Sequence, residues 1–559
     1  MEVRNSKILS LLETKTCDYQ DRTALGIKGQ YGWREFTYKG LGLLSRRIAR
    51  HLIEDVGIKK GESLAILSES KPEYGACVFA SVLTGTITVP LDIKLSKYEL
   101  KSILSDCLPS VMMVSQEYLD TALVLKEEIP SIKHILVIDE HVNNANVTNI
   151  YELPEKYDAK WRQRSSKSTA LIIYTSGTTG APKGVEISFR NIKAQIEDCT
   201  DAINTILPHN EKINLLSILP MNHLFEMTIG FATFLHFGHT VYYTTSLKPK
   251  DITGIMREKH IQFMIVVPAF LKLLKAGIEK EINSASKITQ VMFKFLYHLA
   301  KFIPSYGIKK LMFKKIHDNL GGKFIGCISG GAPLDIEVGR FFERIGIKVY
   351  QGYGLSETSP VVSVNLNKRH ELASVGHPLK HFEAKVDNTS GELLLRGPSV
   401  MKGYHNQPEM TAEVIDKDGW LHTGDIAMID KDGHLYITGR IKNMIVLSGG
   451  KKVFPEEVEA VLEKSHYISE VCVLGTSRSF GSKDGTEEVT AVIVPKDELY
   501  NSYSDEDVDR MIRLDVKSLS MQLAHYKRPT SVILHKEALP KTTTRKVKRK
   551  DVKELISST

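Results

Sequence analysis

The chain has 559 residues, of which 42 % are apolar and 25 % charged, a composition typical of a large soluble enzyme with several domains. Its net charge of +8 is mild for this length and gives no indication of nucleic-acid binding. The six cysteines are scattered without a Cys-x-x-Cys pair, which argues against a zinc site or a disulfide framework and fits a reducing cytosol. The first residues lack an apolar segment, so no signal peptide is expected.

The first third of the chain alternates between strand and helix patterns. After a strand pattern at 32–38, helices are predicted at 41–52, 74–83 and 97–104, and strands at 64–67, 87–91, 111–114 and 135–139. Alternating strands and helices predict a doubly wound α/β domain, in which a mostly parallel sheet carries helices on both faces. Two uncharged stretches, 74–91 and 227–247, approach the length of a membrane span. Each contains residues that a buried helix followed by a buried strand explains better.

The stretch Tyr174–Gly184 is the first with a chemical pattern. It follows the apolar strand 170–173 and contains several hydroxyls, three glycines and Lys183. Glycines let the backbone turn tightly and direct several N–H groups to one point, and the lysine adds a positive charge. This combination suits a polyphosphate, although the spacing is not that of a Walker A loop. The alternative is a flexible surface loop.

Three later stretches follow predicted strands, where ligands bind in such sheets. His223 and Phe225 come after the strand 213–219 and either line a substrate pocket or cap a helix over core aromatics. The segment 329–334 is a glycine turn between a strand and a helix. The turn 351–358 offers an aromatic ring in Tyr353, a hydroxyl in Ser356 and a carboxylate in Glu357, which suit base stacking and magnesium.

The segment 287–323 contains eight lysines and a single acid, Asp318, and its apolar residues recur at helical spacing. Such a segment either lies on an anionic membrane surface or packs one face on the core. Short strands and Asp-Gly turns then predict a small β-barrel-like unit at 361–440. Residues 441–559 mix strands and helices and are predicted to form a small α+β domain with a basic end.

Taken together and in this order, these motifs resemble those of the acyl-adenylate-forming ligases, the superfamily of acyl-CoA synthetases, peptide-synthetase adenylation domains and luciferases. The resemblance extends from near Asp21 to the C-terminus. It implies ATP, Mg²⁺ and coenzyme A as cofactors and small molecules as partners, with no nucleic acid. It also implies an N-terminal adenylation domain at 1–440, with α/β sheets at 1–360, and a mobile C-terminal lid at 441–559 that swings about Lys442.

The resemblance implies a role for particular residues. His223 corresponds to a residue beside the acyl site, Tyr353 to the residue stacked on adenine, and Ser356 to a contact of the α-phosphate. Glu357, together with Thr178, corresponds to the magnesium site. The loop for the β- and γ-phosphates of ATP corresponds to Thr175, Ser176, Gly177, Thr178, Thr179, Gly180 and Lys183.

Further positions complete the set that the resemblance implies. Asp425 and Arg440 correspond to the pair that holds the ribose, Gly449 to part of the thiol tunnel, and Lys546 to the lysine bridging the carboxylate and the α-phosphate. The segment beside adenine and the acyl pocket, with the adjoining turn, corresponds to Gly330, Gly331, Ala332, Pro333 and Gly354.

Two positions depart from the pattern of the family. Arg545 stands where glycine is usual before the catalytic lysine, and Phe189 stands where histidine is frequent. Neither removes a group that the chemistry requires.

The lysine-rich segment before Gly321 resembles that of long-chain fatty acyl-CoA synthetases, and no aspartate for an amino-acid amine lies near His223. The expected reaction is therefore activation of a long-chain fatty acid to acyl-AMP and then to acyl-CoA. A ligase that acts on a carrier protein and a ligase for medium-chain or aryl acids are the alternatives within the superfamily. A catalytically silent binding module and a membrane- or nucleic-acid-binding protein are the alternatives outside it. The expected location is the cytoplasm, with peripheral membrane contact through 287–323.

Overall fold

The structure is a computed structural model. It describes residues 16–29, 32–140, 147–162, 164–175, 182–207, 211–366, 371–447, 451–477, 487–541 and 547–557.

The strands carry one series of labels in chain order. They are β1 Thr23–Gly29, β2 Gly32–Thr37, β3 Ser63–Leu67, β4 Ile87–Pro90, β5 Val111–Val114, β6 His134–Val137, β7 Thr148–Asn149, β8 Thr169–Thr175, β9 Lys183–Ser188, β10 Asn214–Ser217, β11 Thr240–Tyr243, β12 Phe263–Val266, β13 Gly326–Ser329, β14 Lys348–Tyr353, β15 Ser363–Val364, β16 His377–Pro378, β17 Glu383–Val386, β18 Glu392–Arg396, β19 Gly403–Tyr404, β20 Leu421–Ile429, β21 Leu435–Arg440, β22 Ile445–Val446, β23 Lys452–Val453, β24 Ile468–Ser477, β25 Glu487–Pro495 and β26 Ser531–Leu534.

The α-helices are labelled in the same way. They are α1 Thr16–Asp18, α2 Tyr38–Glu54, α3 Pro72–Thr84, α4 Lys97–Cys107, α5 Leu119–Glu128, α6 Phe189–Ile206, α7 Phe234–His236, α8 Pro249–Glu258, α9 Pro268–Asn283, α10 Lys287–Leu299, α11 Tyr306–Met312, α12 Lys314–Asn319, α13 Ile336–Arg344, α14 Pro408–Val414, α15 Pro455–Leu462, α16 Asp497–Tyr500, α17 Asp505–Ser520 and α18 Arg549–Ser557.

The first large sheet has nine strands in the order β16-β15-β14-β13-β12-β10-β11-β1-β2. The strands from β14 to β1 pair in parallel, and antiparallel strands close both edges. The carboxyl ends of β10, β12, β13 and β14 therefore meet at one edge of the sheet, where ligands bind in folds of this kind.

The second large sheet has eight strands in the order β19-β9-β8-β4-β3-β5-β6-β7. Its parallel part is the predicted succession of strands and helices from residue 63 to residue 137, and this prediction is confirmed. The antiparallel strand β9 was not predicted, because the sequence pattern there indicates the start of a helix. That helix, α6, begins only at Phe189, where Ser188 and Asn191 form a capping box.

The described residues group into two compact units. The first comprises residues 1–383 and 396–419, and the second comprises residues 384–395 and 420–559. The second contains most of the four-stranded antiparallel sheet β17-β18-β20-β21 and the three-stranded sheet β24-β25-β26. The α/β class with mostly parallel sheets is confirmed. The domain boundary at residue 440 stays a prediction.

The two uncharged stretches form buried helices followed by buried strands, as expected. Residues 74–91 contain most of α3 and all of β4, and residues 227–247 contain a π-helix, α7 and β11. Within the described residues, no helix combines the length and the apolar character that crossing a membrane requires.

Candidate functional site

The predicted phosphate loop connects two antiparallel strands of the second sheet. Thr175 ends β8, Lys183 begins β9, and these two residues pair across the hairpin. Ser176, Gly177, Thr178, Thr179 and Gly180 lie outside the described residues. The ammonium of Lys183 lies over the ring of Tyr404, 4.3 Å from its centroid, which is a cation–π contact.

Tyr404 connects this lysine to the predicted metal-binding carboxylate. It lies on β19, where it pairs with Val185 of β9, and its hydroxyl donates a hydrogen bond of 2.9 Å to Oε1 of Glu357. Burial, together with the nearby Glu357 carboxylate, raises the pKa of Tyr404 well above its usual value, so it stays a donor. Lys183, Tyr404 and Glu357 thus form one group, called here the polar cluster.

The two glycine turns lie side by side at the edge of the first sheet. Strands β13 and β14 pair in parallel with Ser329 opposite Gln351, and β14 continues two residues further, to Tyr353, before its turn. The first turn contains Gly330, Gly331, Ala332 and Pro333, and Gly331 has a φ of +82° that favours glycine. In the second turn, Tyr353 ends β14, and Ser356 and Glu357 belong to a 3₁₀ turn.

Gly354 occupies the tightest point of the second turn. A Cβ atom at this position would lie 1.7 Å from the carbonyl oxygen of Pro360. The backbone of the turn that carries Ser356 and Glu357 therefore requires glycine at this position.

Buried polar atoms cluster on the strands that lead into these turns. Ser329 Oγ, Gln351 Oε1 and Ser363 Oγ are buried, and none has a hydrogen-bond partner among the described residues. Unpartnered buried polar atoms are rare in proteins and indicate a ligand, water or ion that satisfies them. The edge formed by β13, β14 and β15 is therefore suited to a polar ligand.

The segment after β10 contacts the first glycine turn. His223 is half-buried just before the π-helix Glu226–Thr233, and the ring of Phe225 lies against Gly330, 3.1 Å from where a Cβ atom would stand. Phe225 stands at the N-cap of the π-helix, as in the helix-cap alternative, and the role of this segment in a substrate pocket stays a prediction. Glu226 is fully buried, and burial raises its pKa to about 8, so this carboxyl group is neutral near pH 7.

Phe225 also lines a small apolar cavity of about 20 Å³, which is room for about one water molecule. The cavity lies between α6, the π-helix and the strands β13, β14 and β15. It carries almost no polar surface and is called here the apolar cavity. Its lining residues are Cys199, Ala202, Ile203, Ile206, Phe225, Ile229, Ile328, Gly352, Val361 and Val364.

The strand that carries Lys183 is held by a second group of charges. Glu186 of β9 accepts hydrogen bonds from Lys402 at 2.9 Å and from Thr169 at 2.7 Å, and it lies 2.7 Å from Nδ1 of His405. The contact with His405 is the largest cause lowering the pKa of Glu186, to about 2. The same contact raises the pKa of His405.

The predicted ribose-binding pair belongs to the second compact unit. Asp425 on β20 and Arg440 on β21 pair across the two strands, and Arg440 Nε lies 2.7 Å from Asp425 Oδ1. Asp425 is buried, and Lys442 is exposed in the 3₁₀ turn that follows β21. Gly449, Arg545 and Lys546 lie outside the described residues.

Sequence reasoning missed Tyr404 and most of the apolar cavity. No motif accompanies Tyr404, which reaches the site only because β19 pairs with β9. The lining residues of α6 do recur at helical spacing, at 199, 202, 203 and 206. This pattern does not distinguish a cavity wall from the protein core.

Residues 12–405 of this chain match the family model described as AMP-binding enzyme, and residues 442–558 match the AMP-binding enzyme C-terminal domain. The chain belongs to the AMP-binding enzyme family. This AMP-binding enzyme is an AMP-forming acid–thiol ligase and uses ATP, Mg²⁺ and coenzyme A.

Two curated relatives of this AMP-binding enzyme are named long-chain-fatty-acid–CoA ligases. The human ligase ACSBG1 is 30 % identical over 495 residues, which are 83 % of this chain and 68 % of the relative. The ligase FadD15 of Mycobacterium bovis is 28 % identical over 566 residues, which are 94 % of this chain and 92 % of the relative. The solved structure of ATP-bound MatB from Rhodopseudomonas palustris has the same fold, with a TM-score of 0.78 at 23 % identity, and the match covers 98 % of both chains.

The described side chains fit what an AMP-binding enzyme must hold. A Mg²⁺ ion takes one or two carboxylates together with phosphate oxygens, and Glu357 offers a half-buried carboxylate beside the hairpin of Lys183. The unpartnered atoms of Ser329, Gln351 and Ser363 offer hydrogen bonds to a polar ligand. No group of three metal-ligating side chains occurs among the described residues.

Proposed function

We propose that this enzyme activates a long-chain fatty acid to its acyl adenylate and transfers the acyl group to coenzyme A. The apolar lining of this small cavity carries this proposal. Phe225 bounds the cavity and also lies against Gly330, so the same ring borders the cavity and the first glycine turn. A fatty acid with its carboxylate at that turn would extend its hydrocarbon chain along this lining, and the cavity would widen between α6 and the π-helix to admit the chain.

The lining of the cavity favours a hydrocarbon over a polar substrate. Burying a CH₂ group there is worth ~0.8 kcal/mol, whereas a buried amine or hydroxyl without a partner costs ~1–3 kcal/mol. The names of the human and mycobacterial relatives agree with a long acyl chain.

The first reaction joins two anions, and the polar cluster supplies charge where they meet. The carboxylate attacks the α-phosphorus of ATP, and pyrophosphate leaves. Lys183 and the donors of residues 175–180 would hold the phosphates, Ser356 would contact the α-phosphate, and Tyr353 would stack on the adenine. Glu357, with Thr178, would hold Mg²⁺, which supplies positive charge to the phosphates when bound.

The remaining roles also follow from the resemblance and belong to the proposal. Asp425 and Arg440 would hold the ribose, and their ion pair pre-orients both side chains. Lys546 would bridge the carboxylate and the α-phosphate in the first reaction. A rotation about Lys442 would then remove Lys546 and bring Gly449 to the thiol path, so that coenzyme A attacks the acyl carbon and AMP leaves. We place the enzyme in the cytoplasm, with peripheral membrane contact.

A panel of acids and acceptors tests the proposal. Pyrophosphate release is measured with acetate, benzoate, octanoate and palmitate, each with coenzyme A and with purified acyl carrier protein. We expect the highest kcat/KM with palmitate and coenzyme A, because a long chain would cover more of the apolar lining than a short one. Turnover confined to acetate or benzoate would exclude the long-chain substrate. Turnover confined to the carrier protein would exclude coenzyme A as the acceptor.

A further inference from the structure

Helix α10 and the 3₁₀ turn Ala300–Phe302 expose a row of large apolar side chains. Each of the six is between 43 % and 80 % exposed. Their spacing places them on one face of the helix, about 100° wide. This row is called here the apolar stripe, and it comprises Ile288, Val291, Met292, Phe295, Leu299 and Phe302.

A different face of the same helix is anchored to the protein core. Phe293, Leu296 and Tyr297 pack against the core cluster of the first sheet. The ring centroid of Phe293 lies 5.6 Å from that of Phe313, and the ring of Tyr297 lies 5.9 Å from that of Phe341. The helix therefore has two apolar faces, and the core already accounts for one of them. An exposed apolar patch beyond the core face indicates an interaction site.

Lysines follow the apolar stripe along one flank. Lys287, Lys294 and Lys301 are exposed and recur every seven residues, so they share one face of the helix, beside the stripe. This set is called here the lysine row. Asp318 is the single acid between residues 284 and 323, and it pairs with Lys314 at 2.6 Å. The field around the stripe is therefore positive.

We propose that the apolar stripe and the lysine row dock this enzyme on an anionic lipid membrane, with α10 lying in the plane of the interface. Interfacial helices bury an apolar face at the boundary of headgroups and acyl chains, while flanking lysines contact lipid phosphates. A second copy of the chain fits this surface less well, because two lysine-rich faces would repel each other. The docking does not depend on which acid the enzyme activates.

Co-sedimentation of the full chain with vesicles tests this proposal. The vesicles are phosphatidylcholine alone or phosphatidylcholine mixed with phosphatidylglycerol. We expect binding to the mixed vesicles, weakened by added salt because exposed charges are screened. The triple variant Lys287→Gln/Lys294→Gln/Lys301→Gln and the double variant Phe295→Ser/Phe302→Ser are each expected to lower the partition coefficient by at least ~10-fold.

Matched variants control for charge and for exposed apolar area. Lys133→Gln/Lys156→Gln/Lys160→Gln removes the same charge from exposed positions elsewhere in the first unit, and Leu514→Ser/Met521→Ser removes exposed apolar groups from α17 and its C-terminal end. Both controls are expected to bind as the parent does, and the thermal unfolding midpoint reports on folding.

Three outcomes would overturn the docking proposal. In the first, the parent protein binds neither kind of vesicle. In the second, the control variants lose binding as strongly as the test variants. In the third, the parent protein binds no vesicles but forms an oligomer that dissociates in the Phe295→Ser/Phe302→Ser variant. The last outcome would assign the apolar stripe to a second copy of the chain. An enzyme that binds mixed vesicles but activates no long-chain acid would contradict the proposed function alone.

Discussion

The polar cluster and the apolar cavity are two parts of the candidate site in the first unit, and they differ in chemical character. Lys183, Tyr404 and Glu357 present charge and hydrogen bonds, whereas the cavity between α6 and the π-helix presents almost none. Under the proposed function, every carboxylic acid needs this charge in order to be adenylated, but only a long acid also contacts the lining of the apolar cavity. Changes in the polar cluster should therefore affect the activation of all acids equally, whereas changes in the apolar cavity should affect it according to acid length.

The largest effect is expected at Glu357. Glu357→Gln removes the charge that is proposed to hold Mg²⁺, so kcat should fall by roughly 10²- to 10³-fold. The loss should be the same for octanoate and for palmitate in a pyrophosphate-release assay. Glu337→Gln, an exposed glutamate on α13 that pairs with Arg340, is the control and should change little. A loss of kcat in Glu357→Gln that depends on acid length would contradict the separate roles given to the polar cluster and the apolar cavity.

The next effect concerns acid length. Ala202→Phe places a ring in the apolar cavity and should lower kcat/KM for palmitate by at least ~10-fold relative to octanoate, since each excluded CH₂ is worth ~0.8 kcal/mol. The control is Ala232→Phe, which makes the same change in size at an equally buried alanine. Ala232 lines a second apolar cavity on the other side of the π-helix. Overpacking lowers the free energy of unfolding by ~1–3 kcal/mol in either variant, so the activities of both variants are compared at an equal fraction of folded protein. An unchanged length profile in Ala202→Phe would place the acyl chain elsewhere.

A smaller and length-independent effect is expected at Tyr404. Tyr404→Phe removes the hydrogen bond to Glu357 and should lower kcat by about 5- to 10-fold for every acid, which corresponds to ~1–1.4 kcal/mol, about the worth of one hydrogen bond. A higher Mg²⁺ concentration should recover part of the loss if the hydroxyl positions the carboxylate. Tyr436→Phe, which loses a hydrogen bond to Asp430 in the second unit, is the control. Equal losses of kcat in Tyr404→Phe and Tyr436→Phe would show that the Tyr404 hydroxyl has no specific role in the reaction.

The smallest effect concerns the stability of β9 and its dependence on pH. Because the pKa of Glu186 is lowered, its contact stabilises the fold at pH values above about 4.5, the ordinary pKa of glutamate, and this stabilisation is lost as the pH falls toward about 2. Because the pKa of His405 is raised, its contact stabilises the fold at pH values below about 6.5, the ordinary pKa of histidine, and this stabilisation is lost as the pH rises through the raised pKa.

His405→Gln should therefore lower the urea midpoint most between about pH 4.5 and pH 6.5, where both charges are present. The control is His434→Gln, which removes a similar contact with Asp430. A difference between parent and His405→Gln that does not change with pH would show that the contact with Glu186 does not control stability.

Much of the fold was predictable, because alternating apolar runs separated by helical patterns leave few arrangements other than parallel sheets. The glycine turns at 330 and 354 were predictable for a similar reason, since glycine at the end of a strand marks a backbone that side chains would obstruct. Strand β9 and Tyr404 were not predictable. Tyr404 reaches the site through pairing between residues 185 and 404, and nothing local in the sequence encodes that pairing. Strand β9 pairs with β8 across a short hairpin, but its pattern was interpreted as the approach to a helix.

The lysine-rich segment illustrates a related limit. Helical spacing predicted one apolar face on α10 with Met292, Phe295, Leu296 and Leu299 on it, but the structure divides these residues between the core and the solvent. Lys309 is buried against Tyr306, so it is not part of the exposed charge that composition alone suggested. Composition gives the number of lysines, whereas only the fold determines which of them face solvent.

The close approach of Gly354 to Pro360 has a consequence for attempts to diversify this enzyme. In a saturation-mutagenesis library, position 354 should tolerate only glycine, because even the single methyl group of alanine has no space. Neighbouring positions should show graded fitness, so the sharp step at 354 would mark the turn in a deep mutational scan before any ligand is known.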